Sequence, residues 1–200
     1  MYLYGASGHA RVIREVLSTQ GIDVLGLIDD NPNLNEFDGL TVLHTFEGLS
    51  PIIVSIGDCL ARRIIVERLE GVEFGKAIHS SAIISSNVKI GEGSVVMAGA
   101  ILQPQVILGR HTIVNTGSSI DHNCLVGDYV HIAPHCTLCG DITIGDLSWI
   151  GAGTTIIQGI NIGRNCFIGA GSVVIKDIPD NSLAFGNPCH VQRVLSPVNL

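Results

Sequence analysis

Aromatic residues are scarce: one Trp, three Tyr and five Phe among 200 residues. A core without large rings must be filled by aliphatics, and hydrophobic residues still reach 46% of the chain, which excludes a disordered polymer. Charge is sparse too, at 14%, and eleven basic residues against eighteen acidic ones leave a net charge of −7. That balance excludes a nucleic-acid coat, which needs a basic face for phosphate. No apolar run approaches the ~20 residues of a membrane-spanning helix. The N-terminus has neither the basic start nor the apolar stretch of an export signal, so a cytoplasmic protein is expected. Six cysteines, at 59, 124, 136, 139, 166 and 189, follow no disulfide framework and are expected as reduced thiols. Cys136 and Cys139 have a redox- or zinc-like spacing, but no second pair follows, so no metal is expected.

What the chain has is a period of six. From Ile78, every sixth residue through Ile84, Ile90 and Val96 to Ile168 and Val174 is Ile, Leu or Val. Chance would give such a run on the order of once in 10^8 sequences. Four residues after each aliphatic stands a small or slender residue, as at Ala100, Ser118, Cys136 and Ser172. The position directly after the aliphatic is often glycine, as at 91, 109, 127, 145, 151, 163 and 169, where a side chain would clash or strain the turn. The pattern predicts a parallel β-helix with three hexapeptides per coil, so that residues eighteen apart stack and bury a continuous core.

Residues 1–75 lack this period. Tyr2-Leu3-Tyr4 reads as a strand, and Gly5-Ala6-Ser7-Gly8-His9 opens a helix with Val12, Ile13, Val16 and Leu17 on its apolar face. Residues 24–28 read as a second strand ending in Asp29 and Asp30, and residues 52–56 as a third. Asp58 then caps a helix through Leu69, with Ile64 and Ile65 inward. Alternation of this kind predicts a small parallel α/β sheet. A glycine turn before a helix N-terminus suits phosphate, and acidic residues after the next strand suit hydroxyls of a ribose or base. Gly5, Ser7, Gly8, His9, Asp29 and Asp30 are therefore candidate nucleotide contacts. Turn geometry alone would also explain the glycines and the Asp pair, and Arg11 is either a phosphate partner or part of a solvated face.

The stretch from Asn115 to Asn123 breaks the glycine habit, with Asp121 and His122 in the turn and His131 nine residues on. Histidine ordinarily titrates near neutral pH and suits the work of a general base. A neighbouring carboxylate, Asp121, would orient it.

The [Ile/Leu/Val]-Gly-x-x-small-x repeat over residues 78–178 resembles that of the hexapeptide acyltransferases. With the Gly5-x-x-Gly8-His9 module ahead of it, the chain resembles the PglD/NeuD-like sugar acetyltransferases. The spacing of Asn115, His122 and His131 fits that family's Asn–His–His motif. The resemblance implies a Rossmann-like α/β domain over 1–75, a left-handed β-helix over 76–180 and a C-terminal capping segment over 181–200. It also implies an acetyl-CoA-dependent N-acetyltransferase of a nucleotide-linked amino sugar, a UDP-4-amino-4,6-dideoxy sugar being expected, acting as a homotrimer with sites between subunits. In that reading His122 is the general base and Asn115 meets the acceptor. His131 and the Gly140 N–H meet the acyl group, and Gly151, Gly169 and Lys176 line the acetyl-CoA path. Coil packing would equally explain Gly151 and Gly169. A sugar O-acetyltransferase and a β-helix that binds nucleotide sugar without turnover remain open alternatives.

Overall fold

The computed structural model describes residues 1–196. The chain opens in an α/β layer of five short strands, β1 (Tyr2–Tyr4), β2 (Gly26–Ile28), β3 (Glu36–Phe37), β4 (Leu40–Leu43) and β5 (Ile52–Val54), in the order β3-β4-β2-β1-β5. β2, β1 and β5 are parallel neighbours, β4 joins β2 in parallel, and β3 pairs antiparallel with β4. β1 lies inside the sheet despite starting at residue 2, and Leu3 is fully buried. Helix α1 (Gly8–Ser18) buries Ala10, Ile13, Val16 and Leu17. Val12, expected on that stripe, is 43% exposed, because Ala10 completes the i, i+3, i+7 face with Ile13 and Leu17. Helix α2 (Cys59–Arg68) starts where the Asp58 carboxylate accepts the Ala61 N–H at 2.8 Å. Its buried residues are Cys59 and Arg62, and Ile64, expected inward, is turned to solvent.

Seventeen two-residue strands follow, from Ala77–Ile78 to Val173–Val174, and each ends on one aliphatic of the six-residue series. They form three parallel sheets, with partners eighteen residues apart, as in Leu102↔Ile120↔Leu138. The result is a left-handed β-helix. Its first face carries Ile113–Val114, His131–Ile132, Trp149–Ile150 and Phe167–Ile168. The second carries Ile101–Leu102, Ser119–Ile120 and Thr137–Leu138, and the third Ile107–Leu108 and Leu125–Val126. From Val96 onward the periodic aliphatics are all buried. The small residues of the second register fill the corners, and hydroxyls there are satisfied by the next coil: Ser118 Oγ donates to the Ala133 carbonyl at 2.8 Å and Ser148 Oγ to Gly163 at 2.8 Å. A hydroxyl in an apolar core is tolerated on that condition.

Of the two reasons given for the turn glycines, one applies. A Cβ on Gly109 would stand 2.5 Å from the backbone of Gly127 in the next coil, a clash. The left-handed residues lie two positions later, at Gln105, His111, Asn123 and Tyr129 among others.

Strands Ser182–Gly186 and Cys189–Val194 form an antiparallel pair that extends the first face beyond Phe167–Ile168. Ala184 and Cys189 join the helix core, so this pair covers its C-terminal end. The last four residues of the expected capping segment, 197–200, lie outside the described residues. The α/β layer docks on the other end of the first face, where Leu3, Ala6, Ala10 and Ile13 pack with Ala77, Val95, Met97 and Ile113. Among the described residues no helix is long and apolar enough to cross a membrane.

Candidate active site

His122 stands in the turn between the second and third faces and is exposed. Its backbone is held from two sides: the N–H donates to Asp121 Oδ1 at 2.8 Å, and the carbonyl accepts the Asp141 N–H at 2.9 Å. The ring lies against Gly140, one coil on, where a Cβ would stand 2.5 Å from Cε1. Asp121 therefore positions the His122 backbone rather than its ring. Asn123 turns to Asp141, with Nδ2 3.0 Å from Oδ1. A recess of about 220 Å³ on the second face adjoins this turn, lined by Gln103, Ser119, Asp121, Thr137 and Cys139 among others. The same column continues one coil on through Gln158, marked by the Gly159 N–H to Gly140 carbonyl bond. Lys176, exposed, follows the last strand of the second face.

Asn115 lies on the other edge of the second face, where the first face ends. His131 belongs to the first face and points away from the helix core, as expected, but it is 4% exposed because the α/β layer covers it. Its Nδ1 is 3.0 Å from the Gly57 carbonyl and its Nε2 is 3.2 Å from Asn115 Nδ2. With both nitrogens occupied, the expected acyl contact has no free group on His131. Burial pushes its pKa down to about 4, so the ring is neutral at pH 7. The His131 ring centroid is 4.1 Å from that of Trp149, which stacks on Phe167 in turn.

The candidate nucleotide residues gather around the ends of β1, β2 and β5. Gly5 has φ +106, and a Cβ there would strike the Ile56 side chain. Ser7 caps α1 in extended backbone without a side-chain cap bond, and Gly8 has open space at its Cβ position. His9 turns toward the prism, its ring centroid 6.2 Å from that of His131, and burial, aided by the charge of Arg62, lowers its pKa to about 4. Its Nε2 is buried without a partner. The Asp29 carboxylate accepts from the Ala6 and Asn31 N–H groups at 2.9 Å each. It thus ties the glycine turn to the end of β2. Asp30 accepts from the Tyr4 hydroxyl and pairs with Arg68 at 2.8 Å. Those two hydrogen bonds hold its pKa below the usual carboxylate value. Arg11 pairs with Asp38 and lies over Phe37, so the phosphate role weighed for it gives way to a contact with the β3–β4 hairpin.

Gly151 and Gly169 stand on the Asn115 edge. A Cβ on Gly151 would meet the Ala170 backbone at 2.5 Å, and one on Gly169 the Phe185 side chain at 2.7 Å. Coil packing accounts for both glycines. Among the described residues no group of three His, Cys, Asp or Glu could hold a metal. Arg62 went unforeseen, because an arginine in an amphipathic helix reads as solvated, yet it is 1% exposed at the junction. The expected site residues thus fall on two edges of the second face: His122, Gly140 and Lys176 on one, Asn115 with His131, His9, Gly151 and Gly169 on or beside the other.

The α/β layer and the prism each match a known family model, and solved sugar N-acetyltransferases 34% and 35% identical cover 96% of the chain, which makes the prism that of a hexapeptide-repeat acyltransferase. The chain belongs to the PglD/NeuD-like family of acetyl-CoA-dependent sugar N-acetyltransferases. A family model described as the PglD N-terminal domain matches residues 1–69, and one described as bacterial transferase hexapeptide (six repeats) matches residues 141–176. A histidine-to-asparagine mutant of perosamine N-acetyltransferase from Caulobacter crescentus, in complex with CoA and GDP-perosamine, is 34% identical, with TM-score 0.92 and 96% of each chain covered. The acetyltransferase domain of PglB from Neisseria gonorrhoeae, in complex with acetyl coenzyme A, is 35% identical, with TM-score 0.88, covering 96% of this chain and 98% of that one. Among curated proteins, an uncharacterized protein of Acanthamoeba polyphaga mimivirus is 31% identical over 99 residues, which are 47% of this chain and 20% of that protein. The matched segment thus spans about a fifth of that relative's length.

Proposed function

We propose that this protein transfers the acetyl group of acetyl-CoA to the amine of a nucleotide-linked 4-amino-4,6-dideoxy sugar, with His122 as general base. The observation that carries the reading is the exposed His122 ring seated on Gly140. The imidazole takes the proton as the nitrogen attacks the thioester carbonyl. The backbone N–H of Gly140 stabilises the oxygen charge that develops there. Asp121, by fixing the His122 backbone, keeps the ring over Gly140. Lys176, on the same edge, meets a phosphate of the coenzyme, whose arm runs along the coils between them. Three coils at ~4.8 Å cover roughly 14 Å.

The α/β layer of residues 1–75 holds the nucleoside diphosphate at the α1 N-terminus, with Ser7, Gly8 and the partnerless His9 Nε2 nearest the phosphates. Residues 76–180 carry the chemistry and 181–200 close the prism. In a homotrimer the His122 edge of one copy meets the Asn115 edge of the next, which unites two half-sites that the second face separates within one chain. UDP is the carrier expected from the family resemblance, whereas the Caulobacter relative carries GDP-perosamine. The expected compartment is the cytoplasm.

The test is a panel of amino sugars carried on UDP, GDP, dTDP and CMP, each incubated with acetyl-CoA. CoA thiol release should match the appearance of a singly N-acetylated sugar by mass spectrometry with at least one carrier. Binding of nucleotide sugar without thiol release from any of them would overturn the reading.

A further inference from the structure

Arg62 carries a charge that the chemistry above does not use. The side chain is 1% exposed, and six carbonyl oxygens accept from it: Ile56 at 2.8 Å, Gly57 at 2.9 Å and Asp58 at 3.5 Å from Nη1, His111 at 2.8 Å from Nε, Tyr129 at 2.7 Å and Val130 at 3.3 Å from Nη2. Ile56 and Gly57 follow β5 in the α/β layer, whereas His111, Tyr129 and Val130 belong to the prism. One guanidinium therefore ties the two units together, using the fixed fork of donors that distinguishes Arg from Lys.

The Gly57 carbonyl accepts a second hydrogen, from His131 Nδ1 at 3.0 Å. A carbonyl can only accept, so Nδ1 bears the hydrogen. In the neutral ring Nε2 is then a bare acceptor, and it faces Asn115 Nδ2 at 3.2 Å. The two ends of the Asn115 amide are told apart by a second contact, because its Oδ1 accepts the Thr116 N–H at 2.8 Å. The two assignments agree. They leave Asn115 Nδ2 with one further N–H to offer.

We propose that Arg62 is a positioning residue for the acceptor sugar: by holding the Gly57 carbonyl on His131 Nδ1 it fixes the His131 tautomer, and through His131 it orients the Asn115 amide. The chain Arg62–Gly57–His131–Asn115 then registers the nucleotide-holding layer against the acceptor contact on the prism. The sugar side of this inference rests on the function proposed above; the tautomer side does not.

The test uses the full chain with 15N-labelled histidine. Two-bond 1H–15N spectra of the wild type at pH 7 should show His131 as the Nδ1–H tautomer. Arg62→Lys and Arg62→Met should show mixed tautomers. In both, KM for the nucleotide sugar should rise ~10-fold while kcat and KM for acetyl-CoA stay within ~3-fold, the pattern of lost uniform binding to one substrate. A wild-type His131 that is charged or in the Nε2–H form overturns the proposal, even if neither variant folds. An unchanged tautomer in Arg62→Lys also overturns it. If no nucleotide sugar is acetylated, the spectra still decide the Arg62–His131 link, and the substrate reading alone fails.

Discussion

The imidazole of His122 rests on the bare backbone of Gly140, so close that a Cβ on residue 140 would stand 2.5 Å from Cε1 and 2.7 Å from Nε2. The two residues are eighteen apart and share one edge of the prism, so the missing side chain sets where the ring can lie. Gly140→Ala is expected to push the ring off the position from which it reaches the amine. Near-attack geometry is steep in distance, so kcat should fall by ~10–10^3. The backbone at 140 is not left-handed, so the fold should persist. Steady-state kinetics and circular dichroism together check this.

Removing the ring itself is the sharper change. His122→Ala should lower kcat by ~10^2–10^4 while the urea midpoint moves little, because the side chain is exposed. Near-wild-type turnover would mean that the proton leaves by another route.

Stability should depend on pH through three imidazoles at the junction. His111 stacks on Tyr129 with ring centroids 5.3 Å apart, His131 lies under the α/β layer, and His9 faces His131 at 6.2 Å between ring centroids. Burial lowers all three pKa values to about 4 in the folded chain, against an ordinary value near 6.5 when unfolded. Between those values the unfolded chain holds the protons and the folded chain does not. Stability is therefore full above pH 6.5 and is lost as pH falls toward 4, by about 1.4 kcal/mol per pH unit for each group. Urea titrations at pH 7, 6 and 5 measure the slope. His111→Phe should reduce it by about one group's share, and an identical slope in that variant would contradict the assignment.

Much of the fold could be read from the sequence because its core is periodic. Seventeen aliphatics six apart became the inner residues of seventeen strands, since a solenoid repeats one local environment. The α/β layer was less legible. The β3–β4 hairpin is short and polar around Asp38 and Gly39, so no apolar alternation marks it. Val12 and Ile64 match an apolar stripe in type, but helix docking selected Ala10 and Arg62 instead. At the site, His122 and Gly140 could be paired by counting eighteen residues. The environment of His131 could not be counted, because its cover comes from Gly57, more than seventy residues away. Arg62 was hidden for the same reason: its acceptors are backbone carbonyls, which no side-chain pattern announces.

In the proposed trimer, His122 of one copy acts on a sugar held by Asn115 and the α/β layer of its neighbour. The direct measurement is subunit complementation between His122→Ala and Asn115→Ala chains, each nearly inactive alone. Co-assembled at equal ratio, a trimer with sites between copies should regain about a quarter of wild-type activity, since one interface in four pairs an intact His122 with an intact Asn115. A mixture no more active than its separate components would place both residues in one chain's site and contradict the account.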